Sequence, residues 1–377
     1  MKKILNHPLD SHSILRKKRA IKRTLLENAE LVSKRIAILG GSTSSSIKDF
    51  LELFLLDSGI SPVFYESEYN KYYEDAIFGN AELDAFKPDV IYIHVSSVNI
   101  TQFPIYSMTE EDVQRLVDDE VSKFKNIWES LYKFDCAIVQ NNFDYLPQRS
   151  LGNLDGYSIH GKTNFVNMLN SELAKNARYS DKLYLNDINY LSASVGLDNW
   201  FDQSLWQQGK YAVSMEGATR LAKNLSNILT SIFGLSKKCL VLDLDNTCWG
   251  GVIGDDGVDN IEIGVETSLA EGYTSFQKYV RELHQRGILL AVCSKNDEEN
   301  AIAGFNRLDS ILKYEDFTVV KANWDPKNKN IVDIAYEINI GLDSLVFIDD
   351  NPVERELVLS SVFGVSVPDV GADVIDF

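Results

Sequence analysis

The sequence predicts an α/β protein built as two tandem three-layer αβα domains, residues 1–234 and 235–377. Three observations carry that expectation. Short apolar runs alternate with helix-length amphipathic stretches, a pattern that implies parallel strands joined by right-handed crossovers. The alternation is interrupted at Phe233-Gly234, where glycine can cap a helix, and the polar stretch Leu235-Ser-Lys-Lys238 follows as a boundary. A length of 377 residues, set against roughly 150 per domain, makes two domains the prior, each long enough to bury a core.

Residues 9–31 space Ile14, Leu15, Ile21, Leu25 and Leu26 at helical intervals among Arg and Lys, which predicts an amphipathic helix with a solvated basic face. Residues 36–39 form a short apolar strand ending in Gly40-Gly41, and a helix follows over 47–58. Further strands are expected at 62–65, at 90–95 after the break at Lys87-Pro88, at 137–140 and at 183–185. Helices over 111–133 and 163–177 separate the later ones, and a long helix over 215–232 closes the series. The second series runs from a strand at 239–244 through a helix at 268–285 and a strand at 288–293. A helix from 297, a strand at 317–320, a helix at 328–338 and a strand at 344–348 complete it. The aromatic-rich stretch 64–78 is expected to be a half-buried surface.

Composition narrows the class of function. Asp and Glu number 55 against 37 Lys and Arg, a net charge of −18, which disfavours nucleic acid and anionic membranes as partners because both are polyanions. The same balance suits a protein that binds cations. The four cysteines form no CxxC pair, so they are read as reduced thiols of a cytoplasmic protein. Residues 1–23 are polar and basic, without a signal-peptide core, and no run of about 18 apolar residues exists to span a membrane.

The second series carries the chemistry. The strand Cys239-Leu-Val-Leu242 runs into Asp243-Leu-Asp245-Asn-Thr247. Residues two apart at a strand end can project to one side, and α/β sheets bind ligands at the carboxyl ends of their strands. A divalent cation would relieve the repulsion between such carboxylates. The next apolar strand ends at Ser294-Lys-Asn296, and the last at Asp349-Asp350-Asn351-Pro352. Between them Lys327 opens a helix in Asn323-Trp-Asp-Pro-Lys327. The run Trp249-Gly-Gly-Val-Ile-Gly254 before Asp255-Asp256-Gly257 reads as a glycine-rich hairpin.

An Asp-x-Asp-x-Thr run, a strand-end serine, a lysine and an Asp-Asp pair in this order resemble the four motifs of haloacid-dehalogenase (HAD) phosphatases and phosphotransferases. The longer strings VLDLDNTCWGGVIGDDG, CSKND, NWDPKNKN and FIDDNPVERE resemble the FkbH-like subfamily, whose members act on glyceryl phosphates in polyketide-type assembly lines. The resemblance covers about 238–369 and implies a HAD-like Rossmannoid domain with a minimal cap. It implies Asp243 as nucleophile forming an aspartyl-phosphate, and Asp245 as general acid and then base. It further implies Mg²⁺ held by Asp243, the backbone carbonyl of Asp245 and Asp349. Thr247, Ser294 and Lys327 would meet the phosphoryl group, with Asn296 in support and Asp350 either in support or a metal ligand through water. Only about 50 residues separate Asp245 from Ser294, so the site is expected to be open to a small phosphorylated substrate or one linked to an acyl-carrier protein. A glyceryl transferase loading that carrier and a non-catalytic scaffold are the alternatives. Cys293 precedes the strand-end serine, where the subfamily's cysteine has been linked to a thioester. Alternation points it away from Ser294, and a buried core thiol is the expectation. Cys248 occupies the place after the motif threonine.

The strand 36–39 with Gly40-Gly-Ser42-Thr43 resembles the first block of SGNH/GDSL esterases, which implies an SGNH/flavodoxin-like fold for the first domain and Ser42 as a degenerate nucleophile. Asn99 resembles the oxyanion-hole asparagine. The stretch Ala212-Val-Ser-Met-Glu-Gly217 has alanine where that family carries its histidine, so the domain is expected to be non-catalytic. His94 and His160 leave a hydrolase as the alternative. With no closing element over 369–377, the chain is expected to continue beyond Phe377.

Overall fold

Every pairing between the named strands of the computed structural model is parallel, and the strands form two sheets, each within its own unit of the chain. The structure describes residues 2–27, 31–371 and 373–377. The chain divides into Met1–Gly234 and Leu235–Phe377.

In the first unit, β1 (Val32–Gly40), β2 (Ile60–Glu66), β3 (Val90–His94), β4 (Ala137–Asn141) and β5 (Leu183–Asn186) lie in the order β2-β1-β3-β4-β5. This is the flavodoxin-type doubly wound order, whose direction reverses between β1 and β3. Register places Gly40 opposite His94 across that reversal. Both strands are apolar and buried there, as parallel strands covered on two faces must be. The helix Ser11–Glu27 turns Ile14, Ile21 and Leu25 inward. Its basic face is not wholly solvated as expected, because Lys18 and Lys22 pair with Asp49 and Glu52 of the helix Ser45–Asp57 at 2.5 and 2.7 Å. The expected continuation of the first helix over 28–30 lies outside the described residues.

The second unit orders β6 (Cys239–Leu242), β7 (Leu289–Ser294), β8 (Val319–Ala322) and β9 (Leu345–Ile348) as β8-β7-β6-β9. Alternation along the strands builds two cores. Leu240, Leu242, Leu290 and Val292 pack with Val280 and Phe305, while Cys239, Val241, Ala291 and Cys293 pack with Ile331, Ile334 and Val358. Helices therefore cover both faces, as the sequence predicts for an αβα layer. The strand β8 starts two residues later than expected. A 3₁₀ turn occupies Tyr314–Asp316, Phe317 packs on Phe305 at 4.8 Å, and the ladder begins only as Thr318 N donates to Leu290 O.

The glycine-rich hairpin expected over 249–257 is not formed. Gly250 and Glu262 exchange backbone bonds, and the chain between them makes a helical turn at Ile253–Asp256. Side chains take the amides a hairpin would use, Gly251 N donating to Asn246 Oδ1 and Val252 N to Asp256 Oδ2. Among the described residues, nothing resembling an inserted cap domain lies between β6 and β7. No described helix is long and apolar enough to cross a membrane.

Candidate active site

The order of the second sheet reverses at β6, with β9 on one side and β7 on the other, so the loops leaving these strands face one crevice. Asp243 follows β6, and its amide donates to Ile348 O, the last residue of β9. Asp349 follows β9 and is fully buried. One carboxylate oxygen each of Asp243, Asp349 and Asp350 lies within 4.8 Å of the others. Lys327, the first residue of the helix Lys327–Ile338, enters from the neighbouring loop. Its Nζ lies 2.8 Å from Asp243 Oδ2 and 2.6 Å from Asp349 Oδ2.

One ammonium does not balance three carboxylates. Burial, and after it the Asp243 charge, pushes Asp349 up to about 6, and the same two causes raise Asp350. Burial works against the Lys327 ammonium, but Asp243 and Asp349 overcome it and hold the lysine above its ordinary value. Hard carboxylate oxygens that crowd together with charge left over are the donor set of a hard divalent cation.

Asp245 is held apart from this trio. Its Oδ1 accepts from Trp249 Nε1 at 2.9 Å and from Ile253 N at 3.2 Å, and its Oδ2 accepts from Asn296 Nδ2 at 3.0 Å. Burial raises Asp245 above the usual carboxylate range, against the pull of the Ile253 and Trp249 donors. Asp243, Asp245, Ser294, Lys327 and Asp350 line one pocket of about 180 Å³. The Ser294 hydroxyl has no hydrogen-bond partner among the described residues. Lys295 and Glu354 pair at 2.6 Å in the same lining.

One expected phosphate contact, Thr247, lies elsewhere, whereas Cys293 is a buried core thiol as expected. Thr247 is fully buried, and its hydroxyl donates to Asp350 Oδ1 and accepts from Asp350 N, so it joins the first and last loops. Cys293 is buried among Ile331 and Ile334, its Sγ donating to Lys327 O at 3.7 Å, and burial raises its thiol. Cys248 is likewise buried, donating to Asp243 O, and its thiol is raised by burial. Asp350, expected as a support or as a metal ligand through water, belongs to the carboxylate trio, whereas the Asp245 carboxylate does not. Sequence reasoning missed Trp249 and Arg355. Arg355 donates to the carbonyls of Asp349, Asp350 and Gly371.

In the first unit, Ser42 Oγ lies 3.0 Å from His94 Nε2, both residues buried. Asn141 Nδ2 points at His94 Nδ1 and at Val95 O, while Asn141 Oδ1 accepts from Tyr92 and Asn186. That network makes Nδ1 an acceptor, so the proton sits on Nε2 and is donated to Ser42. Asn99 Nδ2 donates to Gly41 O at 2.7 Å, and a Cβ on Gly41 would sit 2.6 Å from the Asn99 amide. Glycine is required by that approach. His160 is far from this arrangement in bonding terms, stacking on Tyr106 and contacting Met108 O.

Residues 35–230, just over half the chain, match the family described as FkbH, N-terminal domain. The chain belongs to the FkbH family. This FkbH-family chain is also similar to a crystallised N-terminal part of BF1531 from Bacteroides fragilis, described as containing a phosphatase domain and complexed with Mg. Identity is 29%, coverage is 96% of this chain and 95% of that one, and the TM-score is 0.85. A HAD family enzyme of Bacteroides thetaiotaomicron is 13% identical over 36% of this chain and 95% of its own, with a TM-score of 0.26. TesA is 12% identical over 53% and 99%, with a TM-score of 0.35. Neither of these two likenesses carries an argument. No curated protein matches the chain.

Proposed function

We propose that the second unit is a Mg²⁺-dependent phosphohydrolase of the HAD type. The observation that carries this reading is Lys327 bridging Asp243 and Asp349, with Asp350 completing a carboxylate trio at the reversal of the sheet. The likeness to the Mg-complexed BF1531 phosphatase domain supports it. Asp243, Asp349 and Asp350 would hold Mg²⁺, which supplies the charge neutralisation that lets an anionic carboxylate approach a phosphate ester.

This chain's own groups do the rest. Asp243 attacks phosphorus, and an aspartyl-phosphate forms as the ester oxygen leaves. Asp245 gives its proton to that oxygen and then takes one from the water that releases phosphate. Lys327 holds Asp243 in place and offsets its charge, and Ser294 donates to a phosphoryl oxygen. Thr247 is left out of the phosphate contacts and given the task of tying the two acidic loops together.

The absence of an inserted domain among the described residues supports an ester carried on a bulky group, including one linked to a carrier protein. The resemblance of the motifs adds a three-carbon glyceryl phosphate as candidate, with transfer to the carrier as the variant reaction. We read the first unit as an SGNH-like module that does no chemistry. Its strand order supports this, as does the donation from His94 to Ser42, which leaves the serine without a base.

Hydrolysis of p-nitrophenyl phosphate tests the reading. Turnover is expected with Mg²⁺, none after chelation, and a loss of at least about 10³-fold in Asp243→Asn, as expected when the nucleophile of a covalent mechanism is removed. Turnover that survives both chelation and the substitution would refute it.

A further inference from the structure

Asp245 must exchange a proton with the substrate, and the structure restricts which of its oxygens can do so. A carboxylate oxygen has two lone pairs. Both on Oδ1 are occupied, by Trp249 Nε1 and Ile253 N, while among the described residues Oδ2 accepts only from Asn296 Nδ2. One lone pair of Oδ2 therefore remains, on a residue that lines the pocket.

The donors that impose this are themselves fixed. Trp249 is fully buried, edge-on to Phe305 at 5.2 Å. It packs so closely on Gly304 that a Cβ there would sit 2.7 Å from the indole ring. Its N–H thus cannot swing away without opening the core. Asn296 is buried, and its Oδ1 accepts from Asp297 N and Asn300 Nδ2, both at 3.0 Å. That fixes which end of the amide faces Asp245. Trp249 belongs to the loop after β6 and Asn296 to the loop after β7, so the carboxylate is gripped from two sides.

We propose that Asn296 and Trp249 are positioning residues that present Asp245 Oδ2 to the leaving group. The proposal rests on the phosphohydrolase reading above. In the first step the Asp243–phosphorus bond forms, the phosphorus–ester oxygen bond breaks, and the proton on Oδ2 passes to the departing oxygen. In the second, water attacks phosphorus, its proton returns to Oδ2, and the Asp243–phosphorus bond breaks. The sum is ester plus water giving alcohol plus phosphate. A misplaced Oδ2 harms the first step only where the leaving oxygen needs a proton.

The test compares two esters in Asn296→Ala and Trp249→Phe, assayed in the full chain with Mg²⁺. Phenolate departs poorly without a proton, whereas p-nitrophenolate departs without help. kcat/KM reports the steps through aspartyl-phosphate formation. For phenyl phosphate it is expected to fall about 10- to 100-fold, part of what a general acid contributes. For p-nitrophenyl phosphate a fall of about threefold or less is expected, because little proton transfer is needed. The ratio between the two esters does not depend on how much protein is folded, so partial misfolding of either variant leaves the test intact. Equal losses for both esters, or no loss for either, overturn the positioning role. Wild type that hydrolyses neither ester, or hydrolysis that survives Asp243→Asn, overturns the phosphohydrolase reading itself.

Discussion

His94 shows how a single buried side chain can create a pH dependence. Its Nδ1 accepts from Asn141 and its Nε2–H is donated to Ser42, so the ring is used on both sides while neutral. Burial lowers its pKa from 6.5 to about 4. A histidine depressed in the folded state adds stability above its unfolded pKa, and that stability is lost as pH falls toward the folded one. The gap is worth about 3 kcal/mol at most, using 1.36 kcal/mol per pH unit. Urea unfolding of the full chain at pH 7.0, 6.0, 5.0 and 4.0 is expected to show a steep loss between about 6.5 and 4, the window between the two pKa values. The loss should be shallower in His94→Gln. Parallel curves for the two proteins would show that His94 is not the group responsible.

At the scale of elements, the last acidic loop is shaped by the helix behind it. Asn351 caps the helix Pro352–Ser361 by accepting from Val353 N, and Pro352 stands at its first turn, where no N–H is required. One turn in, Arg355 reaches back to the carbonyls of Asp349, Asp350 and Gly371 at 2.7 to 3.0 Å. Arg355→Met leaves three carbonyls without their donor and should cost about 2 to 4 kcal/mol. It should also weaken activation by Mg²⁺, because Asp349 and Asp350 lose their fixed backbone. Arg355→Lys should recover part of this, since a single nitrogen, Nη1, contacts all three carbonyls and an ammonium also offers three donors. An unchanged Mg²⁺ titration in a destabilised Arg355→Met would separate the helix from the metal loop. The strands before these loops were legible in the sequence because each is an apolar run ended by a polar group. The contacts across loops were not. Thr247 and Asp350 stand 103 residues apart, and their bond depends on the return path of the chain, which local pattern does not encode. Asn296 was visible at the same two-residue spacing from Ser294 as Asp245 from Asp243, but its partner was not.

Across the whole molecule, charge and chemistry are unevenly distributed. Both sheets reverse direction, and each places polar groups at the reversal: Ser42 and His94 in the first unit, Asp243 and Asp349 in the second. The pairs differ in what remains available. Ser42 and His94 satisfy each other in a buried network, whereas the carboxylates of the second unit keep excess charge beside a pocket. Among the described residues, the three-carboxylate cluster that could hold a cation is in the second unit. Ser42→Ala in the full chain should therefore leave Mg²⁺-dependent hydrolysis of p-nitrophenyl phosphate within about twofold of wild type, since it removes none of the groups that line the second unit's site. It should lower stability by about 1 to 3 kcal/mol, because the buried His94 Nε2–H loses its acceptor. The same preparations assayed with p-nitrophenyl acetate decide the role of the first unit. Acetate release by wild type that disappears in Ser42→Ala would mean that the serine is a working nucleophile, and that the hydrogen bond from His94 Nε2–H to Ser42 belongs to the resting state alone.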